Sequence, residues 1–181
     1  MQLGLGPTRV HPDMQDYCAS VFYIGDFSAG TDNFADASGV NMSFTVTGNN
    51  DSIGGFDDTL KVVVNIPDPS QLITPHNPIR GTDSAIQTAT VGCRYSVRFS
   101  VLFATGNTTN SLRSCRLNGG ELVDMGVSGK TLNTWHSVDA FGIVAGNSPG
   151  DGLEIGISQG TVDSANGDEV YFKDVRVVTH S

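Results

Sequence analysis

Residues 94–103 read RYSVRFSVLF, with Tyr95, Val97, Phe99, Val101 and Phe103 alternating with Arg94, Ser96, Arg98 and Ser100. A helix would scatter these five apolar side chains around its circumference. A strand, whose side chains point to opposite faces in turn, puts them all on one side. The chain must therefore supply something apolar for that face to cover. The same period recurs at 42–46, 60–64, 135–144, 153–157 and 170–178, with shorter candidates at 112–117 and 121–125.

The spacers between these runs are Gly, Asn, Asp, Ser and Thr, residues that make turns, and no stretch has the spacing of a long amphipathic helix. Helices are expected to be single turns at most. Roughly eight to ten short strands joined by turns give a sandwich or a barrel. The composition agrees, with 22 glycines and only 16% charged residues. At 181 residues the chain is read as one all-β domain over 18–181.

Two segments stand outside the pattern. Residues 1–17, with two glycines, two prolines and no period, are read as an extended N-terminal arm. Residues 67–84, PDPSQLITPHNPIRGTDS, hold four of the seven prolines. Proline fixes φ and cannot donate to a ladder, so this stretch is read as a stiff loop.

A net charge of −9 repels a phosphate backbone, and Arg94, Arg98, Arg113, Arg116, Lys173 and Arg176 form no dense run, so nucleic acid is not an expected partner. No apolar run approaches membrane-spanning length, and the first thirty residues are read as carrying no export signal. Cys18, Cys93 and Cys115 are odd in number and widely spaced, which speaks against a disulfide framework and against zinc. They are read as small buried hydrophobes, with a Cys93–Cys115 bridge as the alternative.

Catalysis needs a base held in place by a third group, and the sequence offers none. His11, His76, His136 and His180 fall in the arm, the proline stretch, a strand and the tail. The acidic pairs Asp57 and Asp58, Asp151 with Glu154, and Asp168 and Glu169 are read as solvated turn carboxylates. The protein is expected not to be an enzyme.

Four phrases, in order, resemble the carbohydrate-binding modules with the galactose-binding-like jelly roll. They are IGDFSAGTDNF at 24–34, GCRYSVRFSV at 92–101, Thr134-Trp135-His136 followed by Val138, and YFKDVRVV at 171–178. The resemblance implies an antiparallel two-sheet β-sandwich over about residues 22–178, with Phe27, Phe99, Val101, Trp135, Val138, Ile155, Phe172 and Val175 in its core. Phe27 is then a plug closing one end, and Phe34 packs beside it.

The resemblance also implies a structural calcium between the first phrase and the last strand, where Asp26 and Asp174 stand. Ser28 occupies the position after Phe27 where the family has a carboxylate. Glycan recognition comes with the fold, but Trp135, Tyr17, Tyr23, Tyr95 and Tyr171 fall in or beside strands and are read as packing residues. Jelly rolls like this also recur in tailed phages. The reading favoured by the arm and the proline stretch is a virion structural protein, a bacteriophage capsid decoration or cement protein. Its partners would be the major capsid protein or other virion proteins, or further copies of itself, and its place the capsid surface or tail. The alternative is a carbohydrate-binding module or host-glycan adhesin whose partner is a surface glycan.

Overall fold

The computed structural model of the protein describes residues 18, 21–38, 42–50, 58–66, 77–108, 110–158 and 165–179. Among the described residues, eleven strands form two sheets that face one another. The larger sheet contains β1 (Phe22–Gly25), β3 (Ser43–Asn50), β4 (Thr59–Asn65), β6 (Arg94–Phe103), β9 (His136–Val144) and β11 (Glu169–Thr179). Its order is β3-β4-β11-β6-β9, with β1 also paired to β11. The smaller sheet contains β2 (Phe34–Asp36), β5 (Asn77–Gly81), β7 (Ser114–Leu117), β8 (Val123–Asp124) and β10 (Leu153–Ser158), in the order β2-β5-β10-β7-β8. Every strand pairing is antiparallel, so the expected two-sheet jelly-roll sandwich is the fold.

Strand β11 organises the larger sheet. Its first half pairs with β4 and its second half with β1, while β6 runs along its other side. The register shifts between Lys173 and Arg176, where Asp174 takes a left-handed φ of 53°. This bulge lets Phe172 and Val175 both point inward although they stand three positions apart, an odd spacing that would otherwise put them on opposite faces.

The core contains Phe99, Val101, Val138, Ile155, Phe172 and Val175, as the alternation requires. The Phe99 and Phe172 rings lie 5.6 Å apart. Phe27 is fully buried, and its ring meets Phe34 edge-on at 5.9 Å. Phe34 in turn lies over its register partner Gly81, where a Cβ would come within 2.6 Å of the Phe34 ring. The two aromatics of the first turn therefore pack against each other under the end of the smaller sheet.

Three expectations change. Trp135 was expected in the core but is only half-buried, with Lys173 Nζ 4.8 Å above its ring. Parity explains this: Val138 and Ala140 point inward, so Trp135, Ser137 and Asp139 have the outward phase.

The second change is in the proline stretch. Residues 67–76 lie outside the described residues, as does the arm at 1–17, but Asn77–Gly81 is an inner strand between β2 and β10. Pro78 is tolerated there because β10 shifts register between Gly156 and Ser158, opposite the residue with no N–H to give. The Pro78 carbonyl still accepts from Ala37 N at 3.2 Å.

Third, the cysteines are not all free. Cys18 and Cys93 form a disulfide across a sequence separation of 75 residues, and Cys115 is the buried thiol. Count and spacing cannot reveal a pair that only the folded chain brings together. Burial pushes the Cys115 thiol up to about 12, which keeps it protonated and unreactive.

Helix content is small, as expected. The α-helix among the described residues is the four-residue Ser84–Gln87, capped by the Asp83 carboxylate on Ala85 N at 2.8 Å.

Candidate functional site

On β10, Leu153, Ile155 and Ile157 point into the core, so Glu154 must leave by the other face. Register places it directly between Arg80 on β5 and Arg116 on β7. Arg80 Nη2 donates to Glu154 Oε1 at 2.6 Å, with Nε at 3.1 Å, and Arg116 Nε donates to Oε2 at 2.6 Å. Arg80 Nη1 also reaches Asp151 at 3.5 Å. The hydrogen bond to Glu154 holds the Arg116 guanidinium above its ordinary value, although partial burial opposes it.

Glu154 is only 1% exposed. The expectation of a solvated turn carboxylate is therefore wrong for this residue. It is a strand residue neutralised by two guanidinium groups that cover both of its oxygens. Asp168 departs from the same expectation. It is 5% exposed and accepts from Thr108 N at 3.0 Å and Ala165 N at 2.9 Å, so it ties two loops together.

The outward side chains of β7 alternate between two environments. Arg116 belongs to the Glu154 bridge, and Ser114, two residues earlier, faces Asp124 of β8 across the sheet. Ser114 and Asp124 line a groove of about 500 Å³ with Ser111, Arg113, Leu122 and Ser128. Asp124 Oδ1 accepts from Gly126 N at 2.8 Å, and Ser111 Oγ accepts from Gly129 N at 3.0 Å. These bonds fix the far wall. Leu122 is 48% exposed and gives the groove an apolar patch among hydroxyls, a carboxylate and a guanidinium. A few fixed polar groups around apolar surface suit a ring bearing hydroxyl groups.

Asp26 and Asp174 lie on neighbouring backbones, because Gly25 pairs with Val175. Both carboxylates are already engaged: Asp26 Oδ1 accepts from Ser28 N at 3.0 Å and Ser28 Oγ at 2.8 Å, and Asp174 lies 3.9 Å from the Arg176 guanidinium. The bond from Ser28 N, helped by its hydroxyl, holds the Asp26 carboxyl below the usual range. Among the described residues no group of three or more His, Cys, Asp or Glu is placed to hold a metal. A calcium ion here would therefore have to draw most of its six to eight oxygens from main-chain carbonyls. The test is thermal. A bound ion stabilises the folded state by mass action, so EDTA would lower the melting temperature, calcium would restore it, and Asp174→Ala would abolish the response. A melting temperature indifferent to EDTA would remove the ion.

Of the histidines, His136 is the one that falls within the described residues, and its Nε2 lies 2.9 Å from the Thr131 carbonyl rather than beside a carboxylate. Sequence reasoning overlooked two features, the Arg80–Glu154–Arg116 row and the exposed ring of Phe141. Parity could have found the second, since Val138 and Ala140 inward imply Phe141 outward.

No protein-family model matches the chain, and no curated protein matches it. Solved structures do. The CBM22-2 xylan-binding domain of Paenibacillus barcinonensis Xyn10C superposes with a TM-score of 0.57 at 14% identity, over 87% of this chain and 99% of that one. The mannan-recognising module TmCBM27 gives 0.54 at 14% identity, over 88% and 99%. The likeness is one of fold. A third match, the CBM22-1-GH10 modules of Clostridium thermocellum Xyn10B complexed with xylohexaose, has a TM-score of 0.57 at 15% identity. It covers 90% of this chain, which spans 29% of that longer one.

Proposed function

We propose that this protein is a non-catalytic carbohydrate-binding module, and that its ligand lies in the groove beside the Arg80–Glu154–Arg116 row. The observation that carries this reading is the groove's lining: Ser111, Ser114, Ser128, Asp124 and Arg113 around exposed Leu122, on the outer face of a sandwich. The jelly-roll likeness to modules described as binding xylan and recognising mannan supports it. Decoration of a virus particle, which the sequence favoured, has no counterpart among these neighbours, and they support glycan recognition better. The Cys18–Cys93 bridge supports a location outside a reducing cytosol.

The groove's polar groups would bond sugar hydroxyls while Leu122 covers the apolar edge of a ring. Bonds to a charged carboxylate are the strong ones. Asp124→Asn keeps an acceptor for Gly126 N but removes the charge, so it should weaken binding about tenfold with no loss of stability. Affinity electrophoresis in gels containing soluble xylan or mannan, with the melting temperature as control, reads this directly. Migration of the intact chain unaffected by either polysaccharide would end this assignment of the groove.

A further inference from the structure

The outer face of the larger sheet is chemically unlike the rest of the molecule. The chain carries ten cationic side chains against nineteen acidic ones. Five of the ten, Lys61, Arg94, Arg98, Lys173 and Arg176, leave by this one face, with Asp139, Glu169 and Asp174 as its carboxylates. Three of the cations lie over aromatic rings: Lys61 Nζ 5.7 Å from the Tyr171 centroid, Lys173 Nζ 4.8 Å from that of Trp135, and Arg98 Cζ 5.5 Å from that of Phe141.

Two features of this face are costs that folding alone does not require. Phe141 leaves a large ring 54% exposed. Register also sets Arg176 directly opposite Arg98, and like charges facing each other across strands are destabilising. Asp139, 3.0 Å from Arg98, and Asp174, 3.9 Å from Arg176, offset part of that repulsion. Both guanidinium groups remain about half exposed, and they border a groove of about 240 Å³ with Ser100 and Ser137.

We propose that this face binds an acidic polysaccharide, a chain of pyranose rings bearing carboxylates, as a glycan surface separate from the β7–β8 groove. Each unit of such a polymer presents a C–H face that stacks on an aromatic ring and a carboxylate that fits the fork of an arginine. The protein surface offers that pairing at exposed Phe141 beside Arg98 and, less openly, at half-buried Trp135 beside Lys173, whereas Tyr171 beside Lys61 is buried. Charge selects the occupant: the described strands give this face a positive excess in a chain whose net charge is −9. A long polyphosphate would feel the repulsion of the whole acidic molecule, which favours the sparser charge of a uronic-acid polymer. The proposal shares a ligand class with the β7–β8 groove but no residue of it, so each can fail alone.

The experiment is affinity electrophoresis of the full chain in gels containing polygalacturonate, its fully methyl-esterified form, or soluble xylan, at two salt concentrations. Polygalacturonate should retard the chain, the ester should do so weakly, and salt should weaken the first. Arg98→Gln and Phe141→Ala should each reduce retardation by polygalacturonate about tenfold, the size of one stacked or charge-assisted contact. Both sites are exposed, so melting temperatures should hold, and Lys173→Gln provides a second charge variant. Asp124→Asn should leave this binding unchanged while altering that of xylan. Equal retardation by the ester, none by polygalacturonate, or loss with Asp124→Asn in place of the face variants would overturn the proposal. So would tighter binding of single-stranded oligothymidylate at the same residues.

Discussion

Phe27→Ala should lower the free energy of unfolding by about 3–5 kcal/mol, measured by urea denaturation, because the ring is fully buried and its removal leaves a cavity that its neighbours fill only in part. The backbone there adds a second effect with its own signature. Phe27 has φ of 60°, a left-handed conformation held by Asp32 Oδ2 accepting from Phe27 N at 2.8 Å. Such a conformation costs an L-residue roughly 1–2 kcal/mol and costs glycine almost nothing. Phe27→Gly, which removes the same ring and also the strain, should therefore be about 1 kcal/mol less damaging than Phe27→Ala. Glycine proving the worse of the two would show that the loop does not hold that conformation in solution. Near-native stability of both would show that the ring does not close the end of the sandwich.

Reduction of the Cys18–Cys93 bridge should be comparably costly. The bridge closes a loop of 75 residues, and the loss of closure entropy on reduction corresponds to about 4 kcal/mol in the chain-entropy model. Cys93→Ser should show the same loss, and reductant should have no further effect on that variant. Thiol counting gives an independent check. The oxidised protein should expose one alkylatable thiol after denaturation and none before, since Cys115 is buried and its thiol is pushed up to about 12 by that burial. Three thiols in denatured, non-reduced protein, or a melting temperature insensitive to reductant, would exclude the bridge.

The strands were readable because alternation is a local property. RYSVRFSVLF exposes its period within ten residues, and the structure places β6 at Arg94–Phe103. Residues 170–178 likewise gave β11, apart from its bulge. The strand at Asn77–Gly81 was hidden because Pro78 normally signals a break. What permits it is an irregularity in β10, about eighty residues away in sequence. Trp135 was misplaced because the resemblance outweighed parity, although parity was correct. The carboxylates divided in the same way. Nothing beside Glu154 in sequence neutralises it, and its two partners are 74 and 38 residues distant.

The candidate sites show this division most clearly. Arg94, Arg98, Lys173 and Arg176 form no run in the sequence and were read there as scattered charges, yet pairing β11 with β6 sets Arg176 against Arg98 and gathers them on one face. Ser114 and Asp124 become the two sides of a groove only when β7 meets β8. The sequence by itself determined the all-β class and the inward face of most strands, because side-chain period and turn composition act within a few residues, while the plug at Phe27 came from the resemblance of its phrase to a known family. Tertiary structure alone decided which strands are neighbours, which cysteines join, which carboxylates are buried and where cations meet rings, because each of these depends on register between segments whose separation along the chain leaves no local trace.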